Sequence, residues 1–291
     1  MSRYPAMFAA LKERGEGAFV PFVMVGDPDP ATSEAVIEAL IAGGADALEL
    51  GVPFTDPVAD GPTIQKAHVR ALAAGAGFRD CLEVVTRVRR RHPQLPIGML
   101  IYGNVPFARG LERFYTECAQ AGIDSVLLPD VPIRESALFS RAAEEAGIDA
   151  VYIAPPSAAT ETLDAVAAAS RGYVYAVSRV GVTGTERASS TVGLAESVKR
   201  LRADAAAPVM LGFGISTPEQ VSEAIAAGAD GAISGSATVK IVERYAPEIV
   251  ATTSASSDGS GNEERRHYAL GALRSDLVAF TATMKEATRQ H

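Results

Sequence analysis

Tryptophan is absent from the 291 residues, cysteine occurs only twice, and no apolar run is long enough to span a bilayer. Cys81 and Cys118 lie in helix-like stretches without metal-ligand spacing, which argues against a disulfide framework or zinc site and suits a reducing cytoplasm. The amino-terminal MSRYPAMFAALKERGEG lacks the apolar core and cleavage pattern of a secretory signal. Basic residues are outnumbered, 27 Lys and Arg against 35 Asp and Glu, for a net charge of −8 and a pI near 5.2. Nucleic acid and anionic membranes are held by clustered Lys and Arg, so neither is expected as a partner. The one basic knot, Arg87, Arg89, Arg90, Arg91 and His92, reads as a solvated helix C-terminus favoured by the macrodipole.

Reactive side chains are sparse as well. The lysines are Lys12, Lys66, Lys199, Lys240 and Lys285, and none ends a predicted strand, so a Schiff-base mechanism has no evident nucleophile. His68, His92, His267 and His291 fall on predicted helices or termini, which argues against a metal-dependent aldolase. No metal site and no Ser-His-Asp set is expected.

What is present is a repeat. AGGAD at 42–46, AGID at 121–124 and again at 146–149, and AGAD at 227–230 each follow a helical pattern and precede an apolar run. The glycine is then the residue that turns a helix into the next strand. Apolar runs bounded by Gly, Pro or Asp cover 18–25, 45–51, 97–102, 125–130, 150–155, 173–178, 209–214 and 231–235. Most are continuously hydrophobic, as parallel strands covered on both faces are, and helical patterns separate them. Eight such units in a chain with 47% hydrophobic residues and mean hydropathy +0.11 predict a closed α/β barrel, the (β/α)8 TIM fold. A Rossmann turn is missing, because VGDPDP follows the first strand. The expected organisation is one domain over 1–291, with an extra N-terminal helix at 2–14 capping the barrel and a last helix at 263–288. TTSASSDGSGN at 252–262 has no large apolar side chain and reads as a mobile surface insertion.

Chemistry concentrates in ALELGVPFTDPVADGPTIQ, residues 47–65. Active sites of this fold form where strands end, and Glu49 ends the second strand, with Asp56 and Asp60 on the following loop. An acid enclosed by Leu48, Leu50 and neighbouring strands has its pKa raised, while one on a wetter loop stays ionised. Glu49 can then shuttle a proton beside Asp60 as fixed negative partner or base. The alternatives are a buried Glu49 paired with an arginine, and Asx-turn roles for Asp56 and Asp60. A second cluster is glycine-rich: VGVTG at 180–184, GFGIS at 212–216 and SGSA at 234–237 follow the last three strands. Backbone N–H groups freed by glycine at a helix start make an anion site, to which Ser236 adds a hydroxyl. Together these point to proton transfer by carboxylates, with Tyr175 assisting, on a phosphorylated substrate with an apolar part. Phe22, Leu100, Leu127, Ile153, Phe213 and Ile233 are the inward candidates for that part, or plain barrel core.

The run LELGVPFTDPVADGPTIQ, followed in order by LLPDVP, GVTG, GFGIS and GAISGSA and preceded by PFVMVGDP, closely resembles the signature of the tryptophan synthase α subunit family over nearly the whole chain. Thr55 stands where serine is commoner. The resemblance implies cleavage of indole-3-glycerol phosphate to indole and glyceraldehyde 3-phosphate, with no cofactor in this chain. It assigns Glu49 as acid/base and Asp60 as the carboxylate at the indole N–H. Tyr175, Thr183 and Gly184 match substrate-side positions, and Gly214, Gly235 and Ser236 match the phosphate cradle. Phe22, Leu100, Tyr102, Leu127 and Ile153 would line the indole pocket, and RVGVTGTERASST would close over it as a lid. The implied partner is a pyridoxal-phosphate β subunit, in an assembly of two α and two β chains in the cytoplasm, touching the loop of Pro53, Phe54, Asp56 and Pro57. The competing readings are another phosphate-binding barrel of the pathway and a catalytically weak subunit that serves mainly as allosteric activator of the β subunit. The absence of a strand-end lysine argues against an indole-glycerol-phosphate synthase, and intact Glu49 and Asp60 argue against the weak subunit.

Overall fold

The computed structural model describes residues 2–155, 158–177, 194–254 and 259–289. Its strands are β1 (Ala18–Met24), β2 (Leu48–Gly51), β3 (Ile97–Leu100), β4 (Ser125–Leu127), β5 (Asp149–Ala154), β6 (Val174–Val177), β7 (Val209–Gly212) and β8 (Gly231–Ser234). All pair in parallel with their sequence neighbours, and β8 pairs back onto β1, which closes an eight-stranded barrel. Among the described residues the helices are α1 (Tyr4–Glu13), α2 (Pro30–Ala42), α3 (Pro62–Ala73), α4 (Phe78–Arg91), α5 (Asn104–Arg109), α6 (Leu111–Ala121), α7 (Ala137–Ala146), α8 (Thr160–Ala169), α9 (Leu194–Asp204), α10 (Pro218–Ala226), α11 (Ser236–Ser254) and α12 (Gly259–Glu286). The architecture is the (β/α)8 TIM barrel with one helix added ahead of the first strand.

The repeated glycines work as turn residues. Gly44, Gly122, Gly147 and Gly228 have φ of 94°, 90°, 72° and 95°, a region that a Cβ would strain, and each carries its helix into the next strand.

Side-chain alternation along the strands divides the core in two. Leu48, Leu50, Val126 and Ile97 face the surrounding helices. Val20, Leu127, Val151, Tyr175, Met210 and Ile233 fill the barrel interior. Glu49 therefore points inward, opposite Leu48 and Leu50, and the expectation that those leucines enclose it is corrected. Its registered neighbours are Phe22 on β1 and Gly98 on β3.

Helix α1 plugs the N-terminal end. Tyr4 and Leu11, each 2% exposed, belong to the interior cluster, and the Tyr4 hydroxyl pairs with Ser125 Oγ at 2.9 Å. Gly98 makes room for that pair, since a Cβ there would lie 2.8 Å from Ser125 Oγ and 3.0 Å from the Tyr4 oxygen.

The segment 252–262, expected as a mobile surface insertion, is helical in its described part. Residues 252–254 continue α11 and 259–262 open α12, while 255–258 lie outside the described residues. A helix already held by packing propagates through weak helix formers at small cost per residue, which composition alone does not register. Helix α12 packs along α11 and α2.

Candidate active site

The barrel contains a cavity of about 230 Å³ lined by Phe22, Glu49, Asp60, Leu100, Leu127, Ile153, Tyr175, Phe213, Gly235 and Ser236, together with Ala59, Ile64 and Pro129. Its wall is mostly apolar with a few convergent polar groups, the usual make-up of a small-molecule site. Glu49 is 2% exposed and Asp60 5%.

Glu49 has a hydroxyl for a partner. The Tyr173 hydroxyl donates to Glu49 Oε1 at 2.9 Å, and among the described residues no lysine or arginine is paired with it. Burial raises the Glu49 pKa from its ordinary value to about 7, the Tyr173 hydrogen bond opposes the rise, and the Asp60 charge adds to it. Tyr173 lies one position before β6, on the inward face shared with Tyr175 and Val177. The run YVYAV placed both tyrosines inward, and sequence reasoning singled out only the second. Burial first, then the charge of Glu49, hold both phenols well above the ordinary tyrosine range. Both are therefore neutral O–H groups at physiological pH. Beneath Tyr173 sits Tyr4, edge-on at 5.4 Å between ring centroids.

Asp60 is not on a wet loop, and that expectation is corrected. Its Oδ2 accepts the Tyr102 hydroxyl at 2.8 Å and lies 3.1 Å from His68 Nε2. Tyr102 stands behind the carboxylate instead of lining the cavity, with its hydroxyl also accepting the Ala59 N–H at 3.0 Å. His68 is the neighbour of Asp60 that sequence reasoning missed. It lies on the buried stripe of α3 with Ile64, Ala67 and Ala71, and an imidazole on an apolar face needs a polar partner. That stripe was the available signal.

The remaining positions divide. Ile233, 1% exposed, belongs to the layer below the cavity with Val20 and Met210, because the next inward residue up β8 is Gly235. Tyr175 meets Phe213 edge-on at 5.9 Å, and its hydroxyl accepts a hydrogen bond from the Phe213 backbone. Phe213 and Gly214 have φ of 64° and 96°, so the chain kinks where β7 ends, and Gly214 itself is off the cavity wall. Gly235 precedes α11, and Ser236 is that helix's first residue. This sets a helix N-terminus against the cavity as an anion site would. Asp56 is exposed and bonded to the Thr55 hydroxyl, away from the cavity. Thr183, Gly184 and the rest of the expected lid lie outside the described residues. Among the described residues no cluster of His, Cys, Asp and Glu could hold a metal ion.

A barrel with paired acids inside its mouth and a glycine-serine helix start on the rim has counterparts among known proteins. A family profile for the tryptophan synthase alpha chain matches residues 8–265. The tryptophan synthase alpha chain of Corynebacterium efficiens is 54% identical over 290 residues, covering the whole of both chains. That of Aeromonas hydrophila is 54% identical over 245 residues, 84% of this chain and 91% of the relative. Among solved structures, tryptophan synthase of Mycobacterium tuberculosis superposes with a TM-score of 0.82 at 30% identity, over 100% of this chain and 99% of that one. Tryptophan synthase subunit alpha of Legionella pneumophila gives 0.80 at 29%, over 99% and 98%. Sequence and fold agree over the full length, and the chain belongs to the tryptophan synthase alpha chain family.

Proposed function

We propose that Glu49 and Asp60 divide the proton transfers of this family's reaction, the cleavage of indole-3-glycerol phosphate to indole and glyceraldehyde 3-phosphate, which this chain carries out as a lyase. Protonated Glu49 delivers its proton to indole C3, which loses its aromatic pairing and leaves positive charge on the ring nitrogen. The Asp60 carboxylate faces that N–H and stabilises the charge. The resulting Glu49 carboxylate then removes the proton of the hydroxyl on the carbon attached to C3. As that O–H bond gives way a carbonyl forms, the C3 to side-chain bond breaks, and its electron pair restores the indole. Glu49 ends protonated, as it began. An acid that titrates near neutrality serves both steps, because donor and acceptor forms are both accessible.

The observation that carries this reading is a carboxyl with its pKa raised to about 7 inside an apolar cavity whose rim holds Asp60, Gly235 and Ser236. Phe22, Leu100, Leu127 and Ile153 supply the flat apolar walls an indole needs. Gly214, Gly235 and Ser236 take the phosphate, and Thr183 and Gly184 are read as substrate-binding residues with Tyr175. The neutral Tyr175 hydroxyl orients substrate and does not act as a base. Proton transfer by carboxylates requires no cofactor in this chain.

Membership of the family implies a β-subunit partner. We read its docking face as the loop of Pro53, Phe54, Asp56 and Pro57, in an assembly of two α and two β chains, with pyridoxal phosphate confined to β. Val58, Phe107 and Leu138 support that face: they are 74%, 67% and 67% exposed and follow β2, β3 and β4 at the mouth end of the barrel. No described helix is long and apolar enough to cross a membrane, and we place the assembly in the cytoplasm.

Indole release is the test, measured for the wild type, Glu49→Gln and Asp60→Asn, each with and without the β subunit. Loss of a positioned acid or base costs about 100- to 10,000-fold, so both variants should fall at least 100-fold while the wild type accelerates with β. Equal rates in the three proteins would exclude carboxylate catalysis. Activation of β without turnover by the wild type would leave only an activator role.

A further inference from the structure

We infer that His68 is a positioning residue for the cleavage reaction, fixing which oxygen of Asp60 meets the indole nitrogen. This rests on the assignment of Asp60 to that nitrogen. The imidazole is bonded at both ends: the Phe54 N–H donates to Nδ1 at 2.9 Å, and Nε2 lies 3.1 Å from Asp60 Oδ2. A ring nitrogen that accepts carries no proton, so the proton is on Nε2 and is donated to Asp60. The backbone of the β2–α3 loop thus sets the tautomer, and the tautomer sets the bond to the carboxylate.

The Tyr102 hydroxyl donates to the same Oδ2. Two donors on one oxygen, arriving from α3 and from the end of β3, hold the carboxyl plane and present Oδ1 to the ring N–H. Tyr102 is itself braced, stacked on Phe54 at 5.1 Å and meeting His68 edge-on at 6.2 Å. His68 is 1% exposed, so water cannot replace its bond to Asp60 if the ring is removed. The interaction of Asp60 with the indole grows as positive charge develops on nitrogen, so loosening Asp60 should lower kcat more than it raises KM.

The test uses His68→Phe, which keeps the ring volume and removes both hydrogen bonds, and His68→Gln, whose amide nitrogen reaches the position of Nε2 and restores only the donor to Asp60. In the complex with the β subunit, His68→Phe should lower kcat roughly ten- to a hundredfold, the worth of a hydrogen bond to a charged group, with KM within about threefold. His68→Gln should recover most of that loss. In an Asp60→Asn background, His68→Phe should cause no further loss. Full kcat in His68→Phe, no recovery in His68→Gln, or an equal loss in the Asp60→Asn background would overturn the proposal. Full activity of Asp60→Asn alone would instead overturn the reading on which it rests. If His68→Phe does not fold, the 15N spectrum of histidine-labelled wild type decides, with the His68 signal identified by its absence in His68→Gln. A neutral Nε2–H ring at neutral pH is expected, and an Nδ1–H ring or an imidazolium would refute the arrangement.

Discussion

A carboxyl with 2% of its surface exposed and, among the described residues, a tyrosine hydroxyl as its one hydrogen-bond partner destabilises the fold whenever it ionises. Burial lifts Glu49 from its ordinary 4.5 to about 7, so between those values the native chain holds a proton that the unfolded chain has released. Stability associated with this group is full below pH 4.5 and is lost as the pH rises through 7. Glu49→Gln, which is nearly isosteric and cannot ionise, should therefore gain about 2 kcal/mol on the wild type at pH 8 relative to pH 5. Urea unfolding of both proteins at the two pH values measures it, and a pH-independent difference would contradict the assignment. Glu49 itself was legible in the sequence as an acid at the end of a strand, but its inward direction, away from Leu48 and Leu50, was not. The state of Asp60 was not, because the groups that bury it, His68 and Tyr102, come from positions 8 and 42 residues further on.

Strands were the most legible elements, since parallel strands covered on both faces read as unbroken apolar runs, and all eight formed where those runs lie. Glycines within strands carry information of a kind that periodicity does not. Gly51 ends β2 beneath the Phe22 ring, where a Cβ would lie 2.6 Å from Cζ and 2.9 Å from Met24 Cε. The strand thus yields space to the Phe22 ring, which lines the cavity. Gly51→Ala should tilt that ring into the space for the indole, with overpacking of about 1–3 kcal/mol expressed mainly as a five- to hundredfold rise in KM. Steady-state indole release against substrate concentration reads it, and an unchanged KM would show that the ring has somewhere else to go. The residues around 252–262 were illegible for the opposite reason: their helices depend on contacts between α11, α12 and α2, and no local composition encodes such contacts.

Across the whole molecule the two ends of the barrel do different work. The mouth holds the cavity lined by Glu49 and Asp60, and the opposite end is fastened by Asp124, which is 2% exposed. It accepts the Arg3 N–H at 3.1 Å, Arg3 Nη1 at 2.8 Å, Arg89 Nη2 at 2.7 Å and the Ile97 N–H at 2.8 Å. One carboxylate thereby joins α1, α4, β3 and the segment entering β4. Asp124→Asn leaves two guanidinium groups short of their anion and should cost about 3–5 kcal/mol, with kcat of the folded fraction unchanged. Thermal unfolding and activity at low temperature separate the two effects, and a matching fall in kcat would mean that the ends are coupled. One route between the ends is already visible, from Tyr4 through the Tyr173 ring to Glu49. The opening helix is thus linked to the Glu49 carboxyl through two side chains. A displacement of that helix, whose Tyr4 N–H donates to Ser2 Oγ at 3.4 Å, would therefore reach the ring whose hydroxyl donates to Glu49.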